Sequence, residues 1–247
     1  MVVLKSKAEI DKMRIPCGIV REVLEKLEGF VKPGITTLDI DKFAFSIINS
    51  RDAVPSFKGY RGYPASTCTS VNEVVVHGIP GDRKLNDGDI VSVDVGAYAG
   101  GFHGDAARTF AVGNISEESE RLIRVTKESF FEGIKKAVPG GRLTDISHAI
   151  QVHVEAHGYG VVRDFFGHGI GRELHEEPTL PHFGRPNRGL RLRAGMVIAV
   201  EPMVTAGDYS VVTLKDGWTA VTKDGSLAAH YENTVAITSS GPEILTL

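Results

Sequence analysis

Apolar residues at Ile10, Met13, Cys17, Val20, Leu24 and Leu27 recur every three or four positions, which lines them along one face of a helix. Ser6 and Glu9 stand just ahead at capping-box spacing, so the helix is expected to open at Ser6. Pro16 interrupts the pattern and predicts a kink or a later start. Three further helices are expected: one over about 37–45, one over about 117–137 stopped by Pro139-Gly140-Gly141, and one capped by Thr144 and ending at Gly158. Most of the remainder reads as strands over 73–77, 90–97, 107–112, 160–164, 196–204 and 231–238, with Gly, Pro, Asn and Asp between them.

The same pattern occurs twice, faintly. Pro33-Gly34 followed by Asp39-Ile40 is matched by Pro139-Gly140 followed by Asp145-Ile146, at an offset of 106. Leu85, Gly88, Val91, Val93 and Asp94 are matched in spacing by Leu192, Gly195, Ile198, Val200 and Glu201, at an offset of 107. Two such matches at nearly one offset predict two similar halves, each a pair of helices followed by strands. Such halves would pack about a pseudo-twofold axis within one continuous domain, 1–247, divided into about 1–113 and 114–247.

The repeat aligns two acids that are out of place. Asp94 and Glu201 both sit inside apolar strand sequence, where an ionised carboxylate is costly unless it is paired, hydrogen-bonded or metal-bound. One such acid reads most simply as a satisfied core residue. Two at equivalent places predict a shared site on the axis. Asp105 follows Asp94 at hairpin spacing. Glu232 opens the last expected strand, and His168 and His175 lie in a glycine-rich stretch whose backbone can approach a site closely. Four carboxylates and one imidazole carry too much negative charge for a bare site. Two divalent cations would neutralise it, and an oxygen-rich, sulfur-free donor set suits Mn, Fe(II), Co or Zn. Two ions a bridging distance apart can hold a shared hydroxide and polarise a carbonyl, the chemistry of amide hydrolysis.

Composition narrows the alternatives. The chain has 247 residues, 42% of them hydrophobic and 24% charged, which suffices for a core without disulfides. A net charge of -3 argues against nucleic-acid or anionic-membrane binding. No apolar run is long enough for a membrane span, the first residues lack a secretory h-region, and Cys17 and Cys68 have no metal-type spacing, so the cytoplasm is expected. His153 and His157 sit four apart on the fourth helix, a spacing that can chelate metal but that more often marks a solvated helical pair. His103, His148, His182 and His230 receive no role.

Val71-Asn72-Glu73-Val74-Val75-Val76-His77-Gly78-Ile79-Pro80, Asp94, His103-Gly104-Asp105, Gly167-His168-Gly169-Ile170-Gly171, His175-Glu176-Glu177-Pro178, Glu201-Pro202-Met203-Val204 and Tyr231-Glu232 together resemble the type I methionine aminopeptidases. The resemblance spans the whole chain in order. It implies the α/β (α+β) pita-bread fold, an antiparallel-rich curved sheet covered by helices in two pseudo-twofold-related halves. It also implies Asp105 and Glu232 as bridging metal ligands, Asp94 as a bidentate ligand of one ion, and His168 and Glu201 as ligands of the other. Glu201 would shuttle the nucleophile's proton, and His77 and His175 would contact the substrate amide. Tyr60, Tyr63, Cys68 and Trp218 fall where that family lines its methionine pocket, with Phe57 and Leu174 beside them. The carbonyls of Asn72 and Val74 would hold a structural monovalent cation. The implied substrates are newly made polypeptides with N-terminal Met and a small second residue, the ribosome is a candidate partner, and a monomer is expected.

The sequence departs from the family at Asn233, where His is common, a difference expected to bear on metal preference or rate. Only 25 residues separate His175 from Glu201, which leaves no room for the helical insertion of the type II branch, and a zinc-finger extension is absent. Both point to the short bacterial-type form. Two other readings share the fold: a prolidase or Xaa-Pro aminopeptidase, which usually has an extra N-terminal domain, and a metal-free binding module, which would have lost ligands.

Overall fold

Helix α1 (Lys7–Phe30) opens on its expected capping box: the Glu9 N–H donates to Ser6 Oγ, and the Ser6 N–H donates to the Glu9 carboxylate at 2.9 Å. The computed structural model describes residues 2–247. The helix runs unbroken through Pro16, so the later start is corrected. Pro16 lacks the N–H that would bond back along the helix, a loss of about 3 kcal/mol. Burial on both sides of it, from Met13 to Leu27, outweighs that loss.

Helix α2 (Thr37–Ser50) is capped by Thr36 with Asp39 and runs past the expected end at 45, because Ile47 and Ile48 continue its buried stripe. Helix α3 (Glu117–Ile134) stops slightly short of the expected 137. Helix α4 (Leu143–Ala156) is capped at Arg142, whose N–H donates to Asp145. Thr144, the expected cap, instead donates to and accepts from the Arg188 backbone.

The strands are β1 (Val54–Pro55), β2 (Thr67–Val71), β3 (Val74–Val76), β4 (Ile90–Ala99), β5 (Phe102–Ala111), β6 (Gly160–Val161), β7 (Gly167–Gly169), β8 (Glu176–Leu180), β9 (Val197–Val200), β10 (Met203–Thr205), β11 (Val211–Thr213), β12 (Ala220–Thr222), β13 (Ala228–His230), β14 (Asn233–Thr238) and β15 (Gly241–Ile244). The ladders between them run antiparallel. The expected curved sheet is divided into four hydrogen-bonded groups: β1-β4-β2 with β5 on β4, β13-β10-β6, β11-β12-β3, and β15-β14-β9-β7-β8. The strand expected over 196–204 is cut at Glu201-Pro202 into β9 and β10, which join different groups. Pro202 has no N–H to offer a ladder.

The internal repeat is visible in the backbone. The Gly34 N–H donates to Leu85 O at 2.8 Å and, in the other half, the Gly140 N–H donates to Leu192 O at 2.9 Å. Isolated bridges Thr36↔Lys84 and Arg142↔Arg191 stand at the same two places. Gly88 and Gly195 have φ of 97° and 94°, a conformation that glycine adopts without penalty. One buried cluster lies between α1, α2 and the β4 group, and a second between α3, α4 and the β9 group. The halves meet where Ala107 and Glu232 exchange backbone hydrogen bonds at 3.0 and 3.3 Å. Beside that pair, Thr234 Oγ1 donates to Asp105 O and accepts from Asp105 N.

Candidate metal centre

The β4–β5 register pairs Asp94 with Ala107 and Gly96 with Asp105, so Asp94 and Asp105 lie diagonally on one face of the hairpin. Cys68 pairs with Asp94 from β2 and shares that face. Gly104, next to Asp105, is where β5 meets α1: a Cβ there would lie 2.6 Å from Cys17 N and 2.9 Å from Pro16 C. His168 comes from β7, opposite Ala199 of β9. Glu201 leaves the end of β9, and Glu232 bridges β13 and β14 at the seam.

These five side chains converge. His168 Nε2 lies 3.9 Å from Asp105 Oδ2 and 3.7 Å from Glu201 Oε1. Donor atoms of Asp105, His168 and Glu232 fall within 4.8 Å of one another, as do those of Asp94, His230 and Glu232. His168 Nδ1 is 2.8 Å from Gly169 O, and a carbonyl only accepts, so Nδ1 carries the proton and Nε2 keeps its lone pair toward the acids.

Sequence reasoning missed three contributors. His230 is 2% exposed, and its Nε2 is 3.9 Å from both Glu201 Oε2 and Glu232 Oε2, with no hydrogen-bond partner among the described residues. It lies two residues before Glu232, on the same side of an extended chain, and that spacing was the available signal. His182 accepts the Glu201 N–H at 3.1 Å and so orients that residue, a contact without a sequence signal. Arg108 donates to Glu232 O and to Asn233 Oδ1, and its guanidinium covers the Tyr231 ring at 4.2 Å. Asn233 Oδ1 also accepts from Thr246, so Asn233 braces the segment that carries Glu232.

The ring forms the base of a cavity of about 250 Å³, which Tyr60, Tyr63, Cys68, His77, His175 and Trp218 also line. Tyr63 is buried and donates to the backbone at Thr67 and Gly78, so its ring is fixed. Trp218 meets that ring edge-on at 5.1 Å. His77 has a left-handed φ of 59°, an uncommon backbone for histidine, and packs edge-on to Phe165, a further wall residue. His175 Nδ1 is 2.8 Å from the Tyr60 hydroxyl.

Burial sets the electrostatics. It raises Asp94 to about 7 and holds Asp105, Glu201 and Glu232 well above the ordinary carboxylate range, and the neighbouring acids push the last three further. Burial lowers His168 to about 4 and His182 and His230 to about 3, so these imidazoles are neutral. Asp94 Oδ1 and Asp105 Oδ1 are buried without a hydrogen-bond partner among the described residues. Orphaned acceptors beside neutral imidazole lone pairs fit divalent cations, which neutralise the acids and use each free donor.

A pseudo-twofold α/β shell around such a ring marks a protein built to hold divalent metal. The sequence matches metallopeptidase family M24 over residues 11–239. A methionine aminopeptidase of Clostridium acetobutylicum is 61% identical over 100% of this chain and 99% of its own length. Methionine aminopeptidase 1 of Bacillus subtilis is 52% identical over 100% and 99%. The crystal structure of a methionine aminopeptidase from Rickettsia prowazekii superposes with a TM-score of 0.99 at 42% identity, covering 100% of both chains. The chain belongs to metallopeptidase family M24, a family of divalent-metal hydrolases, and its fold is the expected pita-bread fold.

Proposed function

We propose that this chain is a methionine aminopeptidase that removes the N-terminal methionine from polypeptides with a small second residue. The observation that carries the reading is the ring of Asp94, Asp105, His168, Glu201 and Glu232 at the base of a small cavity with aromatic walls. Asp94, Asp105, His168, Glu201 and Glu232 would hold the divalent ions. Ions held there polarise a carbonyl and lower the pKa of water. Glu201 would take a proton from the attacking water and pass it toward the leaving amine. His77 and His175 stand on the wall where the scissile amide must lie and offer imidazoles to its oxygen and nitrogen.

Tyr63, Cys68 and Trp218 form the apolar side of the cavity, with Tyr60 at its rim. Methionine suits such a space because its unbranched chain follows an irregular wall and its sulfur contacts ring edges favourably. The same reading makes the chain a single catalytic domain divided near residue 113. It acts as a monomer in the cytoplasm, on new chains at the ribosome or after release. Among the described residues no helix is long and apolar enough to cross a membrane. Cobalt, manganese, Fe(II) and zinc are the candidate ions. A monovalent cation would sit at the carbonyls of Asn72 and Val74. Asn72 O already accepts the Ala228 N–H at 2.9 Å and has a lone pair left.

Protein stripped of metal and reloaded with each candidate ion should release Met from Met-Ala-Ser far faster than Ala from Ala-Pro-Ser. The reverse order would make it an Xaa-Pro aminopeptidase, and no release with any ion would make it a binding module.

A further inference from the structure

Helices α3 and α4 pack as an antiparallel pair through Gly133, where a Cβ would lie 2.6 Å from Ile150 Cγ1. That close approach sets Glu128 of α3 beside His153 of α4. His157 follows His153 by one turn on the same helix face, and the two ring centroids are 4.6 Å apart. One donor atom from each of Glu128, His153 and His157 lies within 4.8 Å of the other two.

The details favour a metal over an ordinary ion pair. His157 Nδ1 is 2.7 Å from His153 O, so it carries the proton, and His157 Nε2 is left with a lone pair. His153 Nε2 is buried, without a hydrogen-bond partner among the described residues, and 3.4 Å from Glu128 Oε2. That separation is poor for a hydrogen bond and suits two donors on one ion at about 2.0–2.1 Å from each. Glu128 Oε1 faces the other way, 3.8 Å from Arg124 Nε, so Oε2 is the oxygen offered to the imidazoles. The Glu128 side chain is 46% exposed and the histidines are half-buried, so an ion can enter from solvent and complete its shell with water.

We propose that Glu128, His153 and His157 form a second, surface metal site that shares no residue with the centre between the halves. Two imidazoles and one carboxylate select borderline divalent ions, zinc, nickel or copper, over magnesium or calcium. A bound ion would tie α3 to α4 and stabilise the fold by mass action.

Metal-loaded protein and a His153→Asn/His157→Asn variant, dialysed against micromolar zinc, test this. The parent should retain one more zinc per chain than the variant, and zinc should raise the Tm of the parent more. Met-Ala-Ser hydrolysis should match in the two. Glu128→Gln should bind the extra zinc about tenfold more weakly with the fold unchanged, which keeps the test decisive if the double variant folds poorly. Equal zinc content in parent and double variant, or unchanged affinity in Glu128→Gln, would reduce the cluster to an ion pair and overturn the proposal.

Discussion

Removing the metal should make stability fall as pH rises above neutrality. In the metal-free folded state burial holds Asp94 near 7, against an ordinary value of 3.8, and Asp105, Glu201 and Glu232 are held well above the ordinary carboxylate range. The unfolded chain gives up these protons near pH 4. A raised carboxyl pKa therefore contributes stability that is complete at low pH and lost as pH rises through the folded value. Six shielded histidines act oppositely: His77, His103, His168, His175, His182 and His230 stay neutral in the fold, so around and below pH 6.5 the unfolded chain binds protons that they refuse. Their effect fades by about pH 7.5, one unit above the unfolded value. Between about pH 7.5 and 9 the carboxyls set the sign, and each proton retained by the fold costs about 1.4 kcal/mol per pH unit. One retained proton gives a loss of about 2 kcal/mol over that window, or ~4–8 °C in Tm for a chain of this size. Metal-loaded protein has no protons there to retain and should be flat. Calorimetry of chelator-dialysed and metal-loaded protein at half-unit pH steps measures both curves. A metal-free Tm that is level or rising from about pH 7.5 to 9 would refute the account of the acids as a desolvated, mutually repelling set.

Three further outcomes follow from single residues. Glu201→Gln should retain the fold and lose at least about a hundredfold in kcat on Met-Ala-Ser, and activity within a fewfold of the parent would move the proton shuttle elsewhere. His230→Ala should weaken metal binding about tenfold, measured by competition with a chromophoric chelator, and unchanged affinity would place His230 outside the centre. Gly104→Ala should cost about 1–3 kcal/mol in urea denaturation, because the new methyl meets α1 backbone that cannot yield, and a parental midpoint would contradict that packing.

How far the sequence was legible depended on whether a signal was local. The α1 capping box needs only Ser6 and Glu9, and it formed as expected. The repeat was legible because paired halves must place equivalent turns at equivalent spacing, and its glycines and its two odd acids recur at offsets of 106 and 107. Asp94 and Asp105 were readable as a pair because a hairpin's register follows from its length. By contrast β7, β8, β11, β12 and β13 are short and rich in Gly, Thr, Glu or Ala, without clear alternation. They are strands because neighbours supply their hydrogen bonds. Histidine was the hardest residue to read. His182 and His230 both meet Glu201, which the fold brings from another strand, and only the short spacing of His230 from Glu232 was visible in the sequence.

The exchange of hydrogen bonds between Ala107 and Glu232 marks a symmetric cradle that is filled unevenly. Ala107 stands beside Asp94 in its ladder, and one step beyond Asn233↔Val200 sets Glu232 beside Glu201 in the other. A methyl thus occupies on one side the place that a carboxylate takes on the other. The flanking strands differ too: β2 offers Cys68 next to Asp94, whereas β7 brings His168 toward Glu201. Two ions in this cradle would meet unlike company, with His168 beside Glu201 on one side and Cys68 beside Asp94 on the other. Loading should therefore be stepwise, with a tenacious ion on the Glu201 side and an exchangeable one on the Asp94 side, so that half-filled protein is a distinct species rather than a mixture of empty and full molecules.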